Sequence, residues 1–179
     1  MRIISGKLKG KRITAPKTIK ARPTTDFGKE SLFNILENKI LFPEIEALDL
    51  FAGTGNISFE LASRGAKNIL CIDQQKASVD FINTSAKHLE LPIRAKKNDV
   101  FKFLKYPQKT YNLIFADPPY GHKKVIELPN LILNAKILSE NGILIIEHGS
   151  ENDFSLHENF IEKRTYSRVN FSFFQIPQT

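Results

Sequence analysis

One cysteine, Cys71, occurs in 179 residues, so the chain cannot close an internal disulfide. It falls in an apolar run, where a thiol behaves as a small inert hydrophobe, and a reducing compartment suits it. No stretch of about 18 uninterrupted apolar residues is present, which leaves no candidate for a membrane-spanning helix. The opening MRIISGKLKG carries charge without the apolar core of a secretory signal. These absences lead to the expectation of a cytoplasmic chain with no membrane partner. His88, His122, His148 and His157 show no metal-ligand spacing, and one cysteine makes no zinc framework, so no metal is expected. Internal repeats and low-complexity linkers are also lacking.

The first 22 residues lack acids altogether. They carry Arg2, Lys7, Lys9, Lys11, Arg12, Lys17, Lys20 and Arg22, while the rest of the chain is close to neutral within a net charge of +7. Such a block repels itself unless something anionic meets it, which points to a polyanion partner; a solvated basic tail is the plainer alternative. Ile3, Ile4, Leu8 and Ile13 interrupt the charge and suggest a short hairpin that turns near Gly6 or Gly10. Apolar residues make up 41% of the chain, enough for one substantial core. The expected division is a basic extension over 1–22 and one domain over 23–179.

Along the chain, Phe27, Leu32, Phe33, Leu36 and Ile40 recur near helical spacing, with Thr24 or Thr25 placed to cap the helix. EALDLFAGTG reads as a buried strand over about 46–51 that runs into a glycine turn, and NISFELASRG as a helix stopped by Gly65. KNILCID is a strand ending at Asp73, followed by a helix before Pro92 and a polar, weakly marked strand at IRAKK. A short helix begins at Asp99, and YNLIFAD is a strand bounded by the rigid DPPYG. Residues 123–138 are helical, with Pro129 kinking, starting or dividing them. ILIIEHG is a further buried strand, and the alternation around Arg168 and Asn170 predicts an antiparallel hairpin at one edge. Alternating strands and helices imply a three-layer α/β fold with a largely parallel sheet.

Two clusters carry chemistry. In DLFAGTGNIS, Gly53 and Gly55 after a strand let a ligand approach the backbone, and the next helix offers unpaired amides. The absence of a GKS or GKT ending removes the P-loop reading. Asp73, twenty residues beyond Gly53, ends the next strand where a carboxylate can hold two ribose hydroxyls, which favours an adenosyl group. Asp99 is placed either to accept from an adenine amine or to cap a helix. Phe51 would line this cavity and Asp49 would receive a ligand ammonium; a core aromatic and a turn-stabilising acid are the plainer readings.

The second cluster is Asp117-Pro118-Pro119-Tyr120. An exocyclic base amine has its lone pair delocalised into the ring, so methyl transfer needs acceptors that hold its hydrogens. The Asp117 carboxylate and the Pro118 carbonyl can supply them, with both prolines restricting the backbone. Tyr120 can stack on the base. A base paired inside a helix cannot reach such a pocket, so the target is unpaired or flipped. Cys71 has no Pro-Cys loop beside it, which argues against a cysteine adduct.

With RIISGKLKGKRI, RPTTDFGKESLFN, DLFAGTGNISFELASRGA, the Asp73 strand end, NDVFKFL and FADPPY in view, the chain resembles the bacterial small-subunit ribosomal RNA guanine-N2-methyltransferases of the RsmD family. The resemblance implies a class I S-adenosylmethionine-dependent methyltransferase fold, three-layer α/β/α with a mostly parallel seven-stranded sheet containing one antiparallel strand. It implies S-adenosylmethionine as methyl donor and methylation at N2 of one guanine in 16S rRNA, within a small ribosomal subunit or an assembly intermediate. A monomer is expected. Arg2, Lys7, Lys9, Lys11, Arg12, Arg22, Thr24, Thr25, Pro119 and Tyr120 are the candidate RNA contacts, although Thr24 and Thr25 also suit a helix cap. The family's usual Arg-Val-Arg-Glu after RPTTD is replaced by Phe27-Gly28-Lys29-Glu30, and Asp99 stands where some relatives have Asn. Two alternatives stand beside this reading: an adenine-N6 methyltransferase on RNA or DNA, and a noncatalytic assembly factor that retains an adenosyl pocket.

Overall fold

The computed structural model describes residues 1–19, 26–106, 109–167 and 169–176. Arg22, Thr24 and Thr25, with Lys20 and Arg168, lie outside the described residues. In chain order the elements are α1 (Asp26–Glu37), β1 (Glu46–Leu50), α2 (Asn56–Ser63), β2 (Asn68–Asp73), α3 (Lys76–His88), β3 (Ile93–Lys97), α4 (Val100–Phe103), β4 (Tyr111–Ala116), α5 (Leu128–Asn134), β5 (Leu138–His148), β6 (Phe160–Tyr166) and β7 (Val169–Phe174). The strands form one sheet in the order β3-β2-β1-β4-β5-β7-β6. β1 to β5 run parallel, and β7 pairs antiparallel with both β5 and β6.

Both faces are covered, which explains why the central strands are almost continuously apolar. On one face Leu32, Phe33, Leu36, Phe59, Leu61, Ile82 and Ala86 pack against Phe115, Ile145 and Phe171. On the other, Val100, Leu128, Ile132 and Phe154 pack against Leu50, Ile114 and Ile146. The weakly marked β3 is an edge strand whose burial alternates, with Ile93 and Ala95 inside and Arg94 outside. Pro129 occupies the first turn of α5, where its missing N–H costs nothing, and a 3-10 turn at Val125–Glu127 precedes it. Among the described residues, no helix is long and apolar enough to cross a membrane.

Two of the apolar residues expected along α1 depart from their expected positions. Phe27 is 64% exposed and meets Tyr166 edge-on, while Ile40 falls beyond the helix end. Lys29 is buried at 1% exposure. Its Nζ donates to the Arg2 carbonyl at 2.6 Å and to Asn56 Oδ1 at 2.8 Å, and faces Glu60 Oε2 at 3.6 Å. Desolvation lowers its pKa, and the Glu60 and Asp26 carboxylates oppose that shift. Position 29 precedes Leu32, Phe33 and Leu36 at helical spacing and so falls on the buried stripe, where partners distant in sequence satisfy the ammonium.

The same carboxylate organises the N-terminal arm. Glu60 accepts the amides of Ile4 at 2.7 Å and Ser5 at 3.0 Å, and Arg64 Nε at 2.8 Å. Ile3 and Ile13 are buried in the core beneath this contact, each worth about 1.5–3 kcal/mol of apolar burial. A single antiparallel bridge, Arg2 to Arg12, joins the two limbs of the arm, with Ile3 N–H donating to the Lys11 carbonyl at 2.9 Å. Lys7 N–H donates at 2.8 Å to the Ser63 carbonyl, one of the unpaired acceptors at the end of α2.

Gly6 makes that approach possible. Its φ is +82°, and a Cβ there would lie 1.9 Å from the Ser63 carbonyl oxygen. Gly6→Ala (G6A) is expected to destabilise the fold by about 2 kcal/mol, lowering Tm by about 4 to 8 °C and exposing the arm to protease. An unchanged Tm with the arm still protected would show that this contact does not hold it.

Candidate active site

A parallel sheet brings the carboxyl ends of its strands to one edge, and the crevice opens between β1 and β4, where the strand order reverses. A cavity of about 350 Å³ lies there. Asp49, Phe51, Gly53, Asp73, Asp99, Asp117, Pro118, Pro119 and Tyr120 all line it. Gly55 shapes the turn without lining the cavity: its φ is +74°, and a Cβ would press on Ile82 at 3.0 Å and Phe59 at 3.2 Å.

Asp73 is 6% exposed, and both its oxygens are already oriented by the backbone. Gly53 N–H donates to Oδ2 and Gln75 N–H to Oδ1, each at 2.8 Å. Each carboxylate oxygen keeps a further lone pair for a ligand hydroxyl. Asp99 caps α4 by accepting the Lys102 amide at 2.9 Å while also facing the cavity. The geometry therefore lets Asp99 cap the helix and face the cavity at once.

Asp49 is 2% exposed and accepts the Ser58 hydroxyl at 2.6 Å. Burial, reinforced by the charges of Asp117 and Asp73, raises its pKa to about 7, and the Ser58 hydrogen bond works against that rise. Burial also pushes the Cys71 thiol well up, aided by the Asp49 charge; this thiol contacts Ser58 at 3.0 Å and is not a nucleophile. Phe51 sits in the left-handed region at φ 61°, a strained conformation for a non-glycine residue that aims its ring into the crevice wall. It packs edge-on to Phe101, which stacks on His122 at 5.0 Å and lies under Lys124 Nζ at 5.4 Å.

After β4 the chain continues beside β1, with Asp117 N–H donating to the Leu50 carbonyl at 3.3 Å. Tyr120 is 42% exposed at the mouth, available as a stacking surface. The arm residues lie elsewhere. Arg2 and Arg12 flank a shallow surface depression with Asp26, where Arg2 Nε is 3.4 Å from the Asp26 carboxylate, and Lys7, Lys9 and Lys11 are exposed on the arm's outer side. Lys29 links this patch to the cavity, since it bonds both the Arg2 carbonyl and Asn56, a cavity residue.

Sequence reasoning passed over Asn56, Gln75 and Glu147, which also line the cavity. Glu147 left the clearest trace: it is the one charged residue in the buried run ILIIE. Among the described residues, no group of three or more His, Cys, Asp or Glu side chains is placed to hold a metal ion.

The comparisons with known proteins agree with this geometry. The family model described as Conserved hypothetical protein 95 matches residues 1–175. YlbH of Bacillus subtilis is 36% identical over 156 residues, covering 84% of each chain. Ribosomal RNA small subunit methyltransferase D of Escherichia coli K12 is 31% identical over 177 residues, covering 94% of this chain and 88% of that one. The solved structure of Escherichia coli yhhF superposes with a TM-score of 0.86 at 25% identity, covering 98% of this chain and 97% of that one. The chain belongs to the Conserved hypothetical protein 95 family, by fold a class I S-adenosylmethionine-dependent methyltransferase related to the small-subunit rRNA methylases.

Proposed function

We propose that this protein transfers the methyl group of S-adenosylmethionine to the N2 amine of one guanine in small-subunit (16S) rRNA, presented in a small ribosomal subunit or an assembly intermediate. The observation that carries the reading is one cavity that joins Asp73 and the glycine turn to Asp117-Pro118-Pro119-Tyr120. The residues fit the donor. Its sulfonium and ammonium are cationic, and the cavity presents Asp49, Asp73, Asp99, Asp117 and Glu147. Its volume of about 350 Å³ falls within the range of small-molecule sites, roughly 300–1,000 Å³.

When bound, S-adenosylmethionine supplies an electrophilic methyl on sulfur. Asp73 holds the ribose hydroxyls, Asp99 the adenine amine and Asp49 the ammonium. Asp117 would accept one hydrogen of the target amine and the Pro118 carbonyl the other, drawing the nitrogen lone pair out of conjugation, and the Asp117 carboxylate is placed to take the proton that the nitrogen loses when it gains the methyl. Tyr120 stacks on the base extruded from its helix. The arm's exposed lysines and arginines contact phosphates and set the register of the RNA. Support for guanine comes from the motif resemblance, and support for small-subunit rRNA from the name of the Escherichia coli relative. The same acceptors suit adenine N6, so the product identifies the base.

The test is methylation with labelled S-adenosylmethionine of naked 16S rRNA, immature small subunits and mature small subunits, followed by nucleoside mass analysis. N2-methylguanosine is the expected product; N6-methyladenosine alone would overturn the guanine assignment. On the productive substrate, Asp117→Asn (D117N) is expected to slow single-turnover transfer at least about tenfold, a loss of about 1.4 kcal/mol, with cofactor affinity retained. A wild-type rate in folded D117N would remove Asp117 from the chemistry.

Asp49 adds a pH dependence. A carboxyl whose folded pKa is raised to about 7 is half protonated there, and ionising it costs the ligand-free fold stability as pH rises through that value. A cationic ligand favours the ionised form. Cofactor affinity is therefore expected to fall on acidification from pH 8 to pH 6, by up to about tenfold per pH unit below 7, and Asp49→Asn (D49N) to flatten the profile. A flat wild-type profile from calorimetry across that range would place Asp49 away from the ligand's cation.

A further inference from the structure

The sheet order sets the polar strand ends in a line: Asp99 beyond β3, Asp73 on β2, Asp49 on β1, Asp117 beyond β4 and Glu147 on β5. The first three belong to the cofactor half of the cavity and Asp117 to the reacting amine. Glu147 stands one strand further out, on the side of Asp117 away from the cofactor, and it lines the same cavity. The parallel register pairs Ala116 with Ile146, so the next positions are Asp117 and Glu147 on neighbouring chains about 4.8 Å apart. Alternation along β5 turns Glu147 to the face of Ile145 and Phe115, the face that also carries Asp49. On its other flank it is opposite Phe171 of β7, and Val169 closes that end of the cavity.

Glu147 is only 4% exposed. It lines the cavity, so a donor on a bound base can reach its carboxylate. Resting on the guanine reading above, we infer that Glu147 is the specificity-determining residue that accepts the N1–H of the target guanine beside the amine held by Asp117. On guanine's Watson–Crick edge N1–H lies next to the N2 amine, so two adjacent acceptors match two adjacent donors. On adenine's edge the atom next to the N6 amine is N1, an acceptor, and a carboxylate repels its lone pair. Glu147 thereby selects guanine partly by excluding adenine. A site built to accept a donor discriminates strongly against a base that lacks it, because its own buried group is then left unsatisfied.

The experiment uses small subunits reconstituted with 16S rRNA that carries either guanine or 2-aminopurine at the methylated position. 2-Aminopurine keeps the N2 amine, replaces N1–H with a lone pair and lacks the O6 carbonyl, so the decisive reading is the change in preference between wild type and E147Q. Single-turnover rates are measured for wild type, Glu147→Gln (E147Q) and Glu147→Asp (E147D), with cofactor affinity and circular dichroism on each. Wild type is expected to favour guanine at least about tenfold. E147Q, whose amide can donate to the 2-aminopurine N1, is expected to narrow that preference at least about tenfold while leaving cofactor affinity within about twofold. E147D, retaining the charge, is expected to keep the preference at a reduced rate, which separates recognition from packing. An unchanged preference in folded E147Q would overturn the inference, as would loss of preference in E147D equal to that in E147Q, or a loss of cofactor affinity in place of base preference. Failure of wild type to form N2-methylguanosine would overturn the guanine reading, and the inference with it; failure of the inference alone leaves that product in place.

Discussion

Everything at the active edge depends on parallel pairing. Because β1, β2, β3, β4 and β5 run the same way, each contributes its carboxyl end to one rim, and the register fixes which end lies beside which. The reversal of strand order at β1 leaves a crevice between β1 and β4, and the glycine turn after β1 lets a ligand enter close to the backbone. Burial, reinforced by the neighbouring carboxylates of Asp117 and Asp73, raises the pKa of Asp49 along that rim. Backbone amides hold Asp73 in place. A bound cation favours the ionised carboxylates, which makes the electrostatics of the fold and of ligand binding one problem.

The N-terminal arm is tied into the same framework by buried charge. Glu60 on α2 receives two arm amides and two basic side chains, and Lys29 on α1 closes the network onto Asn56 at the cavity wall. Buried ion pairs contribute little net stability, but removing one partner leaves an uncompensated charge. Such a network suits positioning: the arm's cations are held at a fixed place relative to the cavity. Arg64, which also pairs with Glu37 and lies over the Phe33 ring at 4.7 Å, extends the anchoring to α1.

Most of the architecture was legible because the central strands are short apolar runs ended by glycine, proline or acid, and the helices between them show regular periodicity. What escaped the sequence is long-range. Phe27 is apolar yet lies off the buried stripe of α1 and meets β6 at the surface, while Lys29 falls on that stripe and is satisfied only because residues 2, 56 and 60 converge on it. The weak polar signal of β3 follows from its place at the edge, which only the strand order reveals. In the site, motif residues such as Asp73 and Asp117 announce themselves by their position after strands. Glu147 carries no motif, and its significance appears only when register sets it next to Asp117. The expected roles of Arg22, Thr24 and Thr25 fall outside the described residues.

The central claim is that the acidic rim is a cofactor site organised around Asp73. Calorimetric titration of S-adenosylmethionine into wild type and folded Asp73→Ala (D73A) addresses it directly. Loss of charge-assisted bonds worth about 1.5–3 kcal/mol predicts that D73A binds roughly one to two decades more weakly. Equal affinity of the two proteins would contradict the account.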